Sequence, residues 1–548
     1  MLSNNESERS STHIGSNSST PKNLEVSQFQ DPESSLPETS IDLQLQDNGS
    51  FEPRLILRPK NIKLYILMVI LGTIVSNVNQ GLLSSSYAEI GNFYKRLQLT
   101  TWLSLGYLLV SSTSQPFFSP IISIIGINKF INLSWFFLIV PSIINVFNIS
   151  IWSVIISYAI SSIGSIGLIT VTNIIILEAL PPEQRGFYFS ISTLIHNLGS
   201  VVGPLIAPII VPAYDYRALF MLFLALSAVG WGLCLFGLYR SNDSKVRVQT
   251  WTNFDYISGI LLIIIIPSLL LCLNGIPGTS IFSRKATITF GCLFIVSISL
   301  FVYNGIKTKK ASVVPLVIFT RRREAFIYAS VFFFGSRFMT SSYFVPNFCA
   351  VVLNLSQIKL GLIASSFYLG SSFAGIIYPI ASKIFVGRSK YVLYYFLLSA
   401  PMVYEIFYTK DTNMWLIFAL GFISGIGISC LIINALVLLS NIPPLNLKPI
   451  YLGLYSFIIT SGVALSSSIL STIYSNLISG KIKSLITLNP TLESVIIDAF
   501  NDSSTVFSAG FSPLLRDQIL DAYTVSTSRT LIVAACLPVL SFIFILFA

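Results

Sequence analysis

From residue 64 to its end the chain is a succession of apolar stretches, each about 20 residues long and nearly free of charge. A helix rises 1.5 Å per residue, so a stretch of roughly that length crosses the ~30 Å hydrocarbon core of a bilayer. No water is present there to satisfy backbone N–H and C=O groups, so each stretch must close its own hydrogen bonds as a helix. Fourteen stretches can be counted, at 64–83, 102–121, 131–148, 152–177, 187–209, 218–239, 256–274, 286–305, 325–348, 359–380, 391–408, 413–438, 450–474 and 529–548. Composition excludes a water-soluble globule: 53% of residues are hydrophobic, 10% are charged, and the mean hydropathy is +0.76. The expected fold is an all-α membrane protein with 14 transmembrane helices.

A net charge of +10 would suit a nucleic-acid partner, but the basic residues sit in short loops between apolar spans. With the N-terminus in the cytoplasm, the larger share of them falls on cytoplasmic flanks, including Lys129, Arg185, Arg321, Arg322, Arg323, Arg388, Lys390 and Lys448. Both termini are therefore expected in the cytoplasm, and nucleic acid is not a partner. Residues 1–60 are rich in Ser, Asn, Glu and Gln and read as a disordered tail, with no apolar run to serve as a signal peptide. The segment 475–528 reads as one long loop on the opposite side. Its pieces TLESVIIDAF and FSPLLRDQILDAY have helical spacing and are expected along the membrane rim, and Asn501 opens a glycan-acceptor triplet.

All six cysteines lie in or at the ends of apolar spans, without metal-ligand spacing. No phosphate-binding lysine loop and no Ser/His/Asp constellation appears, and His13 and His196 are the chain's two histidines. An enzyme, a cofactor and a metal site are not expected. The partners are the lipid bilayer and a small-molecule solute, with a monomer as the expected unit and protons as a candidate coupling ion.

The chain also repeats itself. Gly164–Pro208 reads as a span, a tight loop (PPEQRG) and a second span carrying Gly199, Gly203 and Pro204. Its order returns in the second half: ISSIG at 160–164 matches ISGIG at 423–427, Pro181-Pro182 nearly matches Pro443-Pro444, and Leu198-Gly199 matches Ser461-Gly462. Spans 4–5 thus echo spans 12–13, which makes spans 1–6 and 9–14 two six-helix bundles and spans 7–8 an insert. The domains follow as 61–240, 241–320 with a basic loop, and 321–548. Parallel repeats of this kind build many secondary transporters.

On these motifs the chain resembles the major facilitator superfamily, in its fourteen-helix fungal branch of drug:proton antiporters and vacuolar basic amino acid transporters. LGSVVGPLIAP (198–208) is similar to the antiporter motif of the fifth helix. EQRG at 183–186, DYR at 215–217, Trp102, Tyr107 and Gln115-Pro116 also fit. The resemblance implies two bundles around a central cavity that opens alternately to each side. Gly126, Arg185, Gly199, Gly203, Pro204, Gly387 and Arg388 fall on its conformational and gating motifs.

The departures concern charge. The family's first-helix acid falls on Asn79, the loop between spans 2 and 3 has Ser123 and Ile127 where the pattern carries Asp and Arg, and span 4 lacks a basic residue. The second-half loop keeps more, as Gly387-Arg388-Ser389-Lys390. Asn79, Gln80, Asn173, Arg337 and Asn434 are the candidate cavity residues, on spans corresponding to the family's cavity-lining helices. His196 and Glu178 are candidate titrating groups, with a packing role for His196 equally open. Arg337 is the sharpest of these, since a charge at mid-membrane costs at least about 2.5 kcal/mol and must face water, a partner or the solute. No carboxylate is read at mid-membrane, so an anion on the solute is its expected partner, with a buried structural pair as the alternative.

The function expected is secondary active transport of a small organic solute, a drug or an amino acid, by alternating access. Siderophore transport and a transporter-like sensor without flux are the alternatives. The membrane is left between vacuolar and plasma.

Overall fold

The structure, a computed structural model, describes residues 62–84, 90, 93–94, 99, 101–147, 150–214, 216–240, 255–274, 284–307, 321–385, 387–441, 448–488, 493, 496 and 513–547. All of them belong to one compact unit, Glu52–Ala548. The tail 1–60, the glycan triplet at Asn501 and most of TLESVIIDAF lie outside the described residues.

Fourteen helical spans follow one another, and no strand occurs among the described residues. They are α1 (Ile62–Ser84), α2 (Thr101–Ile125), α3 (Ile127–Phe147), α4 (Ile151–Ala179), α5 (Pro182–Tyr214), α6 (Arg217–Arg240), α7 (Tyr256–Asn274) and α8 (Arg284–Lys307). The ninth, α9, is broken into Arg322–Phe334, Ser336–Met339, a π-helical turn Thr340–Phe344, and Val345–Val351. Then come α10 (Gln357–Ile384), α11 (Ser389–Glu405), α12 (Met414–Ser440), α13 (Lys448–Leu488) and α14 (Pro513–Leu546). Ten of these helices are unbroken, long and apolar enough to cross a membrane by length and composition over their described residues. The face where α1 begins is called here the near face, and the face where it ends the far face.

Local chemistry sets the boundaries. Ser150 caps α4 by accepting from Ser153 N (3.2 Å), and Asn413 caps α12 by accepting from Trp415 N (2.9 Å). Pro182 and Pro513 open α5 and α14, where a missing N–H leaves nothing unbonded. Gly126 (φ 85°) turns α2 into α3, and Gly387 (φ 68°) turns α10 into α11. These are the same loop of the two repeats, and both need the left-handed conformation that glycine adopts without a Cβ clash.

Two spans differ from the apolar reading. The ninth is not one continuous helix. Thr340 Oγ1 bonds back to Arg337 O (2.9 Å) and Ser342 Oγ to Phe338 O (2.6 Å), and such bonds compete with the regular ladder and bend it. The long loop expected at 475–528 is also shorter. Helix α13 runs 41 residues to Leu488, and LLRDQILDAY forms the first turns of α14. No proline interrupts 450–488.

Packing follows the repeat. Within one half α1 lies on α4, α5 and α6, and α3 on α4 and α6; within the other α9 lies on α13 and α14, and α11 on α12 and α14. The halves meet along α5 with α10 and along α2 with α13. Since α5 corresponds to α13 and α2 to α10, these two seams are one contact related by a pseudo-two-fold axis. The insert is asymmetric: α7 packs on α8 and lies against both α2 and α13, where Thr472 donates to Leu273 O (3.2 Å).

Candidate functional site

The glycines that mark the repeat are where backbones touch. A Cβ on Gly164 would run into Ser134 O of α3, and one on Gly427 would meet Leu398 N of α11 at 2.5 Å. A Cβ on Gly199 would stand 2.7 Å from Ile74 O of α1, and one on Gly462 would run into Phe332 O of α9. Gly203 faces the backbone of Gly81 and Leu82. From the other side, a Cβ on Gly81 would lie 2.8 Å from Ser200 O and 3.0 Å from Pro204 Cδ. The fifth-helix motif therefore seats α5 on α1. Its Pro204 carbonyl also abuts Gly361 of α10, across the seam between halves. Small residues permit this approach, which dispersion then rewards.

Along the second seam Thr460 of α13 places its hydroxyl 2.6 Å from Gln115 Oε1 of α2. Tyr107 of α2 stacks at a tilt on Tyr158 of α4, with ring centroids 4.9 Å apart. At the near face Arg185, 6% exposed, donates from Nε to Leu180 O (3.1 Å) and from Nη1 to Ser440 O at the end of α12 (3.2 Å). Arg388 is exposed at the start of α11.

His196 of α5 meets Asn77 of α1. The Asn77 amide nitrogen donates to Thr73 O (2.6 Å) and lies 2.8 Å from His196 Nδ1. That nitrogen is a donor, so Nδ1 accepts and the ring hydrogen is assigned to Nε2. Asn79 is buried in α1, while Gln80 and Asn173 are half-buried. The side chain of Glu178 lies outside the described residues.

Arg337 has a carboxylate partner in the protein itself. Its Nη1 bonds Glu405 Oε2 at 2.5 Å, with both side chains 1% exposed, and its guanidinium stands 5.7 Å from the centre of the Phe367 ring. The reading that no carboxylate lies at mid-membrane to pair with Arg337 is thus corrected, as is the expectation that a solute anion is its partner; the alternative of a buried structural pair holds, since Glu405 ends α11 inside the same half. Its position was visible in the run 391–408, but not that α11 would bring it to the break in α9. Nor do Asn79 or Asn434 serve Arg337. Asn434 instead lines a small enclosed space with Ser330, Tyr391, Tyr395 and Leu431 within the C-terminal half. Beside it Ser330, Tyr395 and Ser541 bond to one another (2.5–3.1 Å). Sequence reading also missed Glu324, buried at the start of α9, which accepts from Tyr451 (3.2 Å) and pairs with Arg321 (3.4 Å).

Two repeat-related bundles of helices, joined by two glycine- and hydroxyl-lined seams, form a multi-pass helical fold of membrane-crossing type. The family profile of the Major Facilitator Superfamily matches residues 69–306 of this chain. An MFS-type transporter of Penicillium citrinum is 25% identical over 60% of this chain, a match that spans 57% of that protein. Multidrug resistance protein 3 of Bacillus subtilis is 24% identical over 88% of this chain and 94% of its own length. A vacuolar membrane amino acid uptake transporter of Schizosaccharomyces pombe is 23% identical over 74% of this chain and 71% of its own. Among solved structures, an auto-inhibited peptide transporter of the POT family shares the fold, with a TM-score of 0.56 at 11% identity over 88% of this chain and 96% of that one.

Proposed function

We propose that the protein carries a small, uncharged, aromatic or largely apolar organic solute by alternating access, the two halves rocking along the α5/α10 and α2/α13 seams. The observation that carries this reading is where the charges go. Among the described residues the buried charged side chains are Arg185, Asp255, Glu324, Arg337 and Glu405, and each is bonded to another group of the protein. Across the α2/α13 seam the bonded side chains are neutral, Gln115 and Thr460, and Tyr107 of the same helix α2 stacks on Tyr158 of α4. A neutral, hydroxyl- and ring-bearing surface suits an apolar solute with a few polar groups. A basic amino acid would leave its charge unpaired there.

The likeness to a multidrug resistance protein over nearly its full length supports the same class. The near face is read as cytoplasmic, with Arg185 closing it in the state described and with Asn79, Gln80 and Asn173 of α1 and α4 toward the solute path. The test is flux in proteoliposomes holding the purified protein, offered an uncharged aromatic drug, leucine and lysine. The aromatic compound is expected to move. Flux of leucine or lysine in its place would transfer the reading to the amino acid class named for the Schizosaccharomyces relative. No flux of any of them would count against transport of this kind.

A further inference from the structure

We propose that the space beside Asn434 is a binding site for one water molecule, which joins α12 to hydroxyls of α9 and α11 inside the C-terminal half. The inference goes beyond the transport reading and does not depend on it.

Four helices build the site. Ser330 comes from α9, Tyr395 from α11, Asn434 from α12 and Ser541 from α14, and each is at most 3% exposed. Ser330, Tyr395 and Asn434 line a cavity of about 10 Å³. That is about the least volume that takes a water molecule, and it takes nothing larger. Phe334, Leu431, Ala435 and Ile545 make most of the remaining wall apolar, with Tyr391 beside them. An occupant therefore finds its bonds at the three buried polar groups.

Counting protons fixes what those groups offer. Ser541 donates to Ser330 O (2.7 Å), a carbonyl that can only accept. The Ser541 oxygen must then accept from Tyr395, 2.5 Å away, because two lone pairs do not approach so closely. With the Tyr395 proton placed there, the proton between Ser330 and Tyr395 (2.7 Å) belongs to Ser330. The order closes on itself: Ser330 donates to Tyr395, Tyr395 to Ser541, and Ser541 to the Ser330 carbonyl. These hydrogens are assigned from the network. All three lie inside it, so Ser330 and Tyr395 present lone pairs alone to the cavity.

Asn434 faces them with an amide that makes no hydrogen bond to another described residue. A buried amide left unbonded is costly, and this one holds two N–H donors. The occupant must accept from Asn434 Nδ2 and donate to the Ser330 and Tyr395 oxygens. Water does all three, which is the usual number of bonds for a buried water. An apolar group would leave the amide and both oxygens unbonded. A cation would repel the amide hydrogens, and the described wall holds no carboxylate to balance it. The bland alternative is Asn434 bonding a neighbouring helix directly, as asparagine does in many bundles. No such bond is made here among the described residues.

The water thus ties α12 to the near-face piece of α9. That piece, Arg322–Phe334, packs on α13 and α14, and Ser330 stands just before the break at Gly335. Held there by α11, α12 and α14 together, α9 bends beyond Gly335 and not before it.

The test uses the full-length protein in lipid bilayers, labelled with 15N asparagine, with water itself as the probe. In magic-angle-spinning spectra, proton magnetisation passed from water should reach the Asn434 side-chain amide. Its resonance is identified by its loss in Asn434→Leu, which nearly keeps the volume. Ser330→Ala and Tyr395→Phe each alter the acceptors and should lose most of the transfer while the amide resonance stays. A diffraction structure of the wild type should show one peak about 2.7–3.2 Å from Asn434 Nδ2 and from the Ser330 or Tyr395 oxygen. Should the variants not fold, that wild-type structure decides alone. A dry cavity with Asn434 bonded straight to the protein would overturn the inference. So would a peak at about 2.3–2.6 Å, the spacing of a bound cation, or transfer unchanged in both hydroxyl variants.

Discussion

Arg185 and Ser440 tie the two halves together at the near face: the guanidinium of one donates to the carbonyl of the other over 3.2 Å. The same side chain also holds Leu180 O, at the end of α4. Helices α4 and α12 are repeat counterparts, so two equivalent C-termini, each with partial negative charge, converge on one cation. In the second repeat Lys448 stands where Arg185 stands in the first.

Arg185→Gln should therefore loosen the near face. A hydrogen bond to a charged group contributes about 1.5–3 kcal/mol, so losing the one that crosses the halves shifts the closed-to-open ratio roughly tenfold or more. Spin labels at the exposed positions Gln184 and Asn441 would report it. A longer distance is expected to gain population in the variant, and an unchanged distribution would dismiss the latch.

Gly203→Ala is expected to lower the melting temperature while Gly232→Ala leaves it unchanged. The first adds a methyl group against the backbone of Gly81 and Leu82, which cannot rotate away; the second adds one into open space. Overpacking of this kind costs about 1–3 kcal/mol. Equal effects in a thermal unfolding assay would mean that the α1–α5 crossing does not depend on this glycine.

The contrast shows what could be read from the sequence. Gly164, Gly199 and their counterparts Gly427 and Gly462 were legible because a backbone crossing imposes its demand on a single position. Gly126 and Gly387 were singled out only through the resemblance, as motif residues; that each is a turn with positive φ came from the structure. The partner of Arg337 was not, because apolar spacing gives the length of a span but not its rotation. Glu405 becomes the partner only when α9 and α11 are docked. Asn434 shows the same gap: it lies on the expected helix, α12, but the space it lines is within the C-terminal half. The break in α9 rests on back-bonding by Thr340 and Ser342, which an apolar run with two extra hydroxyls does not announce.

Across the second seam, Thr460→Val should destabilise by about 1–3 kcal/mol, since it leaves the buried Gln115 amide without its partner. Gln115→Leu should cost less. The double variant should cost less than the two added together, because both polar groups are then gone. Strict additivity in a double-mutant cycle of thermal stability would show that the two side chains do not interact.

The last prediction concerns pH and salt at the far face. Lys410, in the turn between α11 and α12, reaches Asp521 Oδ1 at 2.9 Å and Asp517 Oδ1 at 3.3 Å near the start of α14. The hydrogen bond that the ammonium donates to Asp521, and then the one it donates to Asp517, holds it above the usual lysine range of about 10.4. A raised folded pKa means that the contribution is complete below the unfolded value and is lost as pH rises through the folded one. Between about pH 7 and about pH 9 it is therefore constant. The group is partly exposed, so Lys410→Met should cost at most about 1 kcal/mol. The melting temperatures of wild type and variant should differ by the same small amount at both pH values. The gap should shrink in about 1 M salt, where screening acts within ~3 Å. If it closes between those two pH values at low salt, the stabilisation comes from some group other than this lysine.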